Sequence, residues 1–209
     1  MDTDEQQLEE LKRWWSEHGR TVILGVVLGL GSVIGVSSWR AYVQSQGETL
    51  SARYEQLVNT AAMPHYTAAV EQADALIADH PDASYASLAA LVGARAAYKA
   101  SDAATARRLL QWAADHGDAF EVRDVARIRL ARLLSEDGQH DAALARLQQV
   151  ANDEVAALVA EVRGDVLSEK QDLTGARAAF EAALAHETLS SDARDRIELK
   201  LDAITAGGG

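Results

Sequence analysis

The chain has 209 residues, with 32 Asp and Glu against 20 Lys and Arg and a net charge of −12. That balance argues against nucleic acid as a partner, since phosphate binding needs a surplus of Lys and Arg on one face. The absence of cysteine excludes a disulfide framework and permits either side of a bacterial inner membrane; two prolines in an alanine-rich sequence favour helix throughout.

Residues 4–17 (DEQQLEELKRWWSE) place Leu8, Leu11, Trp14 and Trp15 at helical spacing, which predicts a short amphipathic helix ending at His18-Gly19. For residues 1–7 a frayed charged tail is an equal alternative. From Thr21 to Trp39 (TVILGVVLGLGSVIGVSSW) there are 19 residues without a charge, between Arg20 and Arg40. As a helix this stretch is roughly 28 Å long, close to the ~30 Å hydrocarbon thickness of a bilayer. We expect a single transmembrane helix in the lipid bilayer, with residues 1–20 before it.

Two alternatives compete with that expectation. Buried helices of soluble cores rarely exceed ~14 residues without a charge. A cleaved signal peptide would have a shorter apolar core ending in a small-residue site close to the start; in this chain about 20 polar residues, six of them acidic, come first and no Ala-x-Ala follows. Trp14 and Trp15 on one side, and Trp39 and Tyr42 on the other, suit interfacial aromatic belts. Lys12, Arg13 and Arg20 flank one end against Arg40 and Arg53 at the other, a small bias toward a cytoplasmic N-terminus that does not settle topology. Gly25, Gly29, Ser32 and Gly35 share one face spanning about 120°, a candidate membrane-helix packing surface for a partner or a second copy. Glycine is also common in membrane helices generally.

Beyond Arg40 the helical pattern continues to Ala62 and stops before Pro64. The remainder repeats. With Ala157 as position 1, Gly164, Leu167, Ala176, Phe180 and Ala183 occupy the small and large positions through which two antiparallel helices of a tetratricopeptide repeat pack. Thirty-three residues earlier the scheme holds Ala131, Leu134, Ala143, Leu147 and Val150, and 37 earlier again Ala94, Ala97, Ala106, Leu110 and Ala113. A further step of 37 gives Leu57, Ala69, Ala73 and Leu76. The pattern predicts an all-α fold, a tetratricopeptide-like helical-repeat solenoid over residues 40–205. Its repeats fall near 50–86, 87–123, 124–156 and 157–190, three or four in number, with a capping helix at 191–204 and a disordered tail at 206–209. One departure stands out: the aromatic of position 4 is replaced by Arg127 and Ala160.

No motif carries catalytic chemistry. His18, His65, His80, His116, His140 and His186 are far apart, without metal-ligand spacing, and there is no phosphate loop or nucleophile elbow. The expectation is a protein that is not an enzyme and holds no metal or cofactor. A repeat stack does provide a groove lined by the first helix of each repeat. In this register the candidate partner groove holds Leu88, Leu91, Arg95 and Tyr98, then Val125, Ile128 and Arg132, then Leu158, Glu161 and Asp165. With Arg127 at a core position, Val125 and Ile128 are equally readable as core.

The order of parts resembles the YfgM family of bacterial inner-membrane proteins. The likeness covers nearly the whole chain: the acidic start, LKRWWSEHGR, GVVLGLGSVIGVSSWR and RGDVLSEKQDLTGARAAFEAAL. The resemblance implies a single-pass protein with its N-terminus in the cytoplasm and a periplasmic repeat domain. It implies association with the SecYEG translocon and with a membrane-anchored periplasmic chaperone of the prolyl-isomerase type (PpiD-like), and it supplies no catalytic residues. The alternative from a different class is a scaffold or regulator of another envelope complex, a homo-oligomer self-associating through the glycine face of its membrane helix.

Overall fold

Residues 47–187 and 189–206 are described by a computed structural model. The segment 1–20, the apolar stretch 21–39 with Gly25, Gly29, Ser32 and Gly35, and the last three residues lie outside that range. No described helix is long and apolar enough to cross a membrane. The chain divides after Leu50 into two units, and the second, beginning at Ser51, contains the helical stack.

The first described helix, α1, covers residues 47–62. It is followed by α2 (Tyr66–Asp79), α3 (Ser84–Lys99), α4 (Ala103–His116), α5 (Phe120–Glu136), α6 (His140–Leu147), α7 (Ala156–Glu169), α8 (Leu173–Leu184) and α9 (Ser191–Ala206). From α2 onward each helix packs on the next in sequence, while α3, α5 and α7 also touch one another in a row. The result is a stack of helical hairpins in which contacts run almost entirely between neighbours.

Close packing is made possible by alanine. Helix α3 buries Ala86, Ser87, Ala89, Ala90, Gly93, Ala94, Ala96 and Ala97, none of them larger than serine. At Gly93 an added Cβ would stand 2.6 Å from the Cβ of Ala73 on α2. At Gly164 it would strike the ring of Phe180 on α8. The positions spaced for helix crossing, Ala131, Leu134, Ala143, Leu147, Leu167, Ala176, Phe180 and Ala183, are all buried, and so is Gly164.

Within each of three hairpins the chain turns in the same way. Ser101, Gly138 and Gln171 adopt left-handed φ values of 61°, 74° and 66°, spaced 37 and 33 residues apart. The next residue's N–H donates back to a carbonyl in the last turn of the preceding helix: Asp102 to Ala97, Gln139 to Leu134 and Asp172 to Leu167, at 2.8–2.9 Å. This is the Schellman pattern, which satisfies the carbonyls orphaned at a helix C-terminus. Asp102 and Asp172 then cap the following helices, accepting from the N–H groups of Thr105 (3.0 Å) and Gly175 (2.9 Å).

The connections between hairpins differ, and one accounts for the missing aromatic at position 4. Helix α6 is only eight residues long, and a loop containing a short 3-10 turn at Asp153–Val155 leads to α7. Arg127 reaches this loop, donating to the carbonyl of Gln149 (2.9 Å) and to Asp124 (2.8 Å). The buried Asp124 carboxylate in turn accepts from the N–H groups of Ala151 (3.2 Å) and Asn152 (3.1 Å). Where an aromatic would fill space, an Asp–Arg pair instead fixes the backbone of an irregular loop.

The last helix closes the stack. Ile197 of α9 is fully buried against Leu167, Ala176, Ala179, Phe180 and Ala183, while Leu199 on another side of the helix is exposed. Ser190 accepts from the N–H of Ala193 at the start of α9.

Candidate protein-binding groove

Helices α3, α5 and α7 present their outer sides along one row, and two cavities lie on it. The first, about 430 Å³, is lined by Ala94, Arg95 and Tyr98 of α3, Ala106 and Leu110 of α4, and Arg129, Arg132, Leu133 and Glu136 of α5. The second, about 480 Å³, shares Arg132 and Glu136 and adds Ser135, Asp165, Glu169, Phe180, Lys200 and Ile204 among others. Arg132 and Glu136 stand between the two cavities, which are therefore neighbours on the row from α3 to α9.

The residues expected to line a groove divide into three groups. Arg95, Tyr98 and Arg132 are exposed and meet at the first cavity. Leu88, Leu91, Val125 and Leu158 are half-buried; Leu91 and Leu158 pack on the central core. Ile128 is buried in that core with Leu130, Leu133 and Leu134 and leaves the groove. Its neighbour Arg127 reaches the loop after α6 instead of the core.

Glu161 and Asp165 depart from the open groove positions that their spacing suggested. Glu161 is buried and its carboxylate is gripped by α9. Arg196 donates to both of its oxygens at 2.9 Å, and Lys200 donates to one of them at 2.8 Å. Lys200 also donates to Asp165 at 2.8 Å, with its ammonium 5.9 Å from the centre of the Phe180 ring. Glu161 is thus an internal fastening for the capping helix, and Asp165 borders the second cavity as part of the same network. Hydrogen bonds from Arg196, opposed by burial and helped by Lys200, hold the Glu161 carboxyl well below its ordinary range, at about 2. Burial pushes Asp165 the other way, upward.

These opposite shifts give opposite contributions to stability. A carboxyl with a depressed folded-state pKa contributes stability that is complete above its unfolded value and lost as pH falls through its folded one. Glu161 therefore supports the fold above about 4.5 and ceases to do so toward about 2. Asp165 has the opposite sign. Replacing Glu161 by Gln is expected to lower stability at neutral pH and to flatten its decline across that acidic window, as read by urea unfolding at a series of pH values. An unchanged pH profile would rule out the fastening role.

Two groove residues, Arg129 and Lys200, do not follow from the repeat spacing. Arg129 lies three positions before Arg132 on α5, a helical neighbour that the sequence does show. Burial, then the charges of Arg95 and Arg132, pull the Arg129 guanidinium below its ordinary value. Tyr98 donates its hydroxyl to the Glu136 carboxylate at 3.2 Å, and that hydrogen bond is the main reason its phenol is pushed up. At the second cavity, Ser135, His140 and Glu169 gather between α5, α6 and α7: the serine hydroxyl donates to the Glu169 carboxylate and lies 3.2 Å from Nδ1 of His140. The arrangement joins two hairpins.

A tetratricopeptide repeat-like domain family matches residues 12–206. A protein of Escherichia coli (strain K12), named an ancillary SecYEG translocon subunit, is 32% identical over 184 residues, 88% of each chain. The chain belongs to the YfgM family. A second family member, from Haemophilus influenzae and carrying the same name, is 30% identical over 86% of this chain and 88% of its own. Among solved structures, a Podosopora anserina protein with nearly identical TPR-like repeats superposes with a TM-score of 0.60 at 18% identity. It covers 77% of this chain and 87% of its own, a likeness of fold alone.

Proposed function

We propose that this family member is a non-enzymatic, membrane-anchored protein-binding module at the SecYEG translocon, linking it to periplasmic chaperones for newly exported proteins. The observation that carries this reading is the pair of adjoining cavities along α3, α5 and α7, open and lined by both charged and apolar residues. Such surfaces on helical-repeat folds receive peptides and protein segments. The name borne by its relatives supports a partner at the translocon. The uncharged run Thr21–Trp39 would hold the repeats at the inner membrane, with the N-terminus cytoplasmic and the repeats periplasmic. Tethering raises the effective concentration of a weak site beside an emerging chain.

Photocrosslinking residues placed at Tyr98 and Arg132 should capture translocon or chaperone subunits in native membranes. The same residues at exposed Ala145 of α6 and Arg177 of α8 should not. Capture only from α6 and α8 would sink the groove as the docking face. A reporter fused after Gly209 tests the topology separately.

A further inference from the structure

The first cavity concentrates positive charge on an acidic protein. Arg95, Arg129 and Arg132 line one space of about 430 Å³, on a chain whose net charge is −12. Among the described residues none of the three has a carboxylate within ion-pair distance. The carboxylate that shares the cavity, Glu136, accepts from Tyr98 instead. Asp165, in the neighbouring cavity, is bonded to Lys200 and lies within electrostatic reach of Arg132 without pairing with it. Three exposed guanidinium groups around one cavity repel each other, and the fold bears that repulsion without a direct ion pair to any of them. Some other cations are paired, as at Arg108–Asp74, Arg53–Asp79 and Lys170–Asp141; what sets these three arginines apart is that they share one cavity.

We propose that Arg95, Arg129 and Arg132 form a recognition site for the carboxylates of an acidic peptide segment of a partner protein. Guanidinium groups bind carboxylates in bidentate geometry, and the apolar base formed by Ala94, Ala106, Leu110 and Leu133 accommodates the intervening aliphatic or backbone atoms. The cavity has room for a few side chains, not a folded domain. The strongly negative remainder of the chain disfavours broad polyanionic surfaces such as an anionic bilayer. The site specifies the chemistry of the partner and so rests on the proposed function, but it is tested independently.

The full chain in detergent micelles is titrated against a fluorescein-labelled Asp/Glu-rich decapeptide and its Asn/Gln counterpart, followed by anisotropy. The acidic peptide should bind at least about tenfold more tightly and weaken as salt rises. Arg95→Gln with Arg132→Gln should reduce binding by about tenfold or more, whereas Arg177→Gln should leave it unchanged. The milder pair Arg95→Lys and Arg132→Lys, which keeps the charge, should give an intermediate loss and serves if the glutamine variant does not fold. Equal affinity for the two peptides, or loss only with Arg177→Gln, overturns the proposal. So does arginine-dependent binding of glycerol 3-phosphate without binding of the acidic peptide, which would mark a lipid-headgroup site. If peptide binding fails while Tyr98 and Arg132 still crosslink to the translocon, only this site assignment falls. If peptide binding holds and the crosslinks fail, the proposed function falls.

Discussion

Replacing Phe180 by alanine is expected to lower stability by about 3–5 kcal/mol, the range for deleting a fully buried aromatic side chain. Phe180 is 1% exposed and sits where α7, α8 and α9 converge, against Gly164 on one side and Ile197 and Lys200 on another. Its single ring thereby ties three helices together. The companion change Gly164→Ala pushes a methyl into the same ring and should cost about 1–3 kcal/mol by overpacking. The two are not independent, because removing the ring opens the space the methyl needs. Urea unfolding of the single and double variants should give a double-mutant loss smaller than the sum. Strict additivity would mean that α7 and α8 do not meet through this pair.

Substituting Asp124 by alanine should be nearly as damaging, about 3 kcal/mol or more, as expected when one member of a buried ion pair is removed. Its carboxylate is the acceptor for Arg127 and for two backbone N–H groups of the loop after α6. Without it the amides of Ala151 and Asn152 lose their acceptor and the half-buried Arg127 loses its counter-charge. Hydrogen exchange should quicken in residues 148–155 before it does in α3 or α4. Asp124→Asn, which keeps an acceptor oxygen but not the charge, should cost less. A variant that is destabilised without local exchange in that loop would point to a role for Asp124 other than the one its contacts describe.

These two sites mark the limits of what the sequence showed. The helical-repeat architecture was legible because it is periodic: small residues recur where helices cross, and the spacing of Gly164 from Phe180 is a local property of one hairpin. Of the proposed groove positions, Arg95, Tyr98 and Arg132 are exposed and line one cavity, as their helical spacing suggested. Exposure was not legible where a side chain is held by groups distant in the sequence. Ile128 is buried in the central core, one of the two readings that Arg127 at a core position leaves open. Glu161 turns inward because Arg196 and Lys200, 35 and 39 residues away, reach it from α9. Pairings across that distance leave no periodic trace, so a groove position and a buried fastening look alike in one sequence. The uncharged stretch at 21–39 is plain as a pattern, and its structure lies outside the described residues.

Contacts confined to successive helices have a consequence for how the domain is made. Nearly every partner of a given helix is the one just before or just after it, so the mean sequence separation of contacts is short and loop closure costs little. Each hairpin can form as soon as its second helix is available, using the one already in place as a template. A chain delivered from its N-terminal end would therefore assemble in order, without waiting for its last segment. Only α9 must arrive to neutralise Glu161 and cover Phe180, so the final step of assembly is also the one that seals the open end.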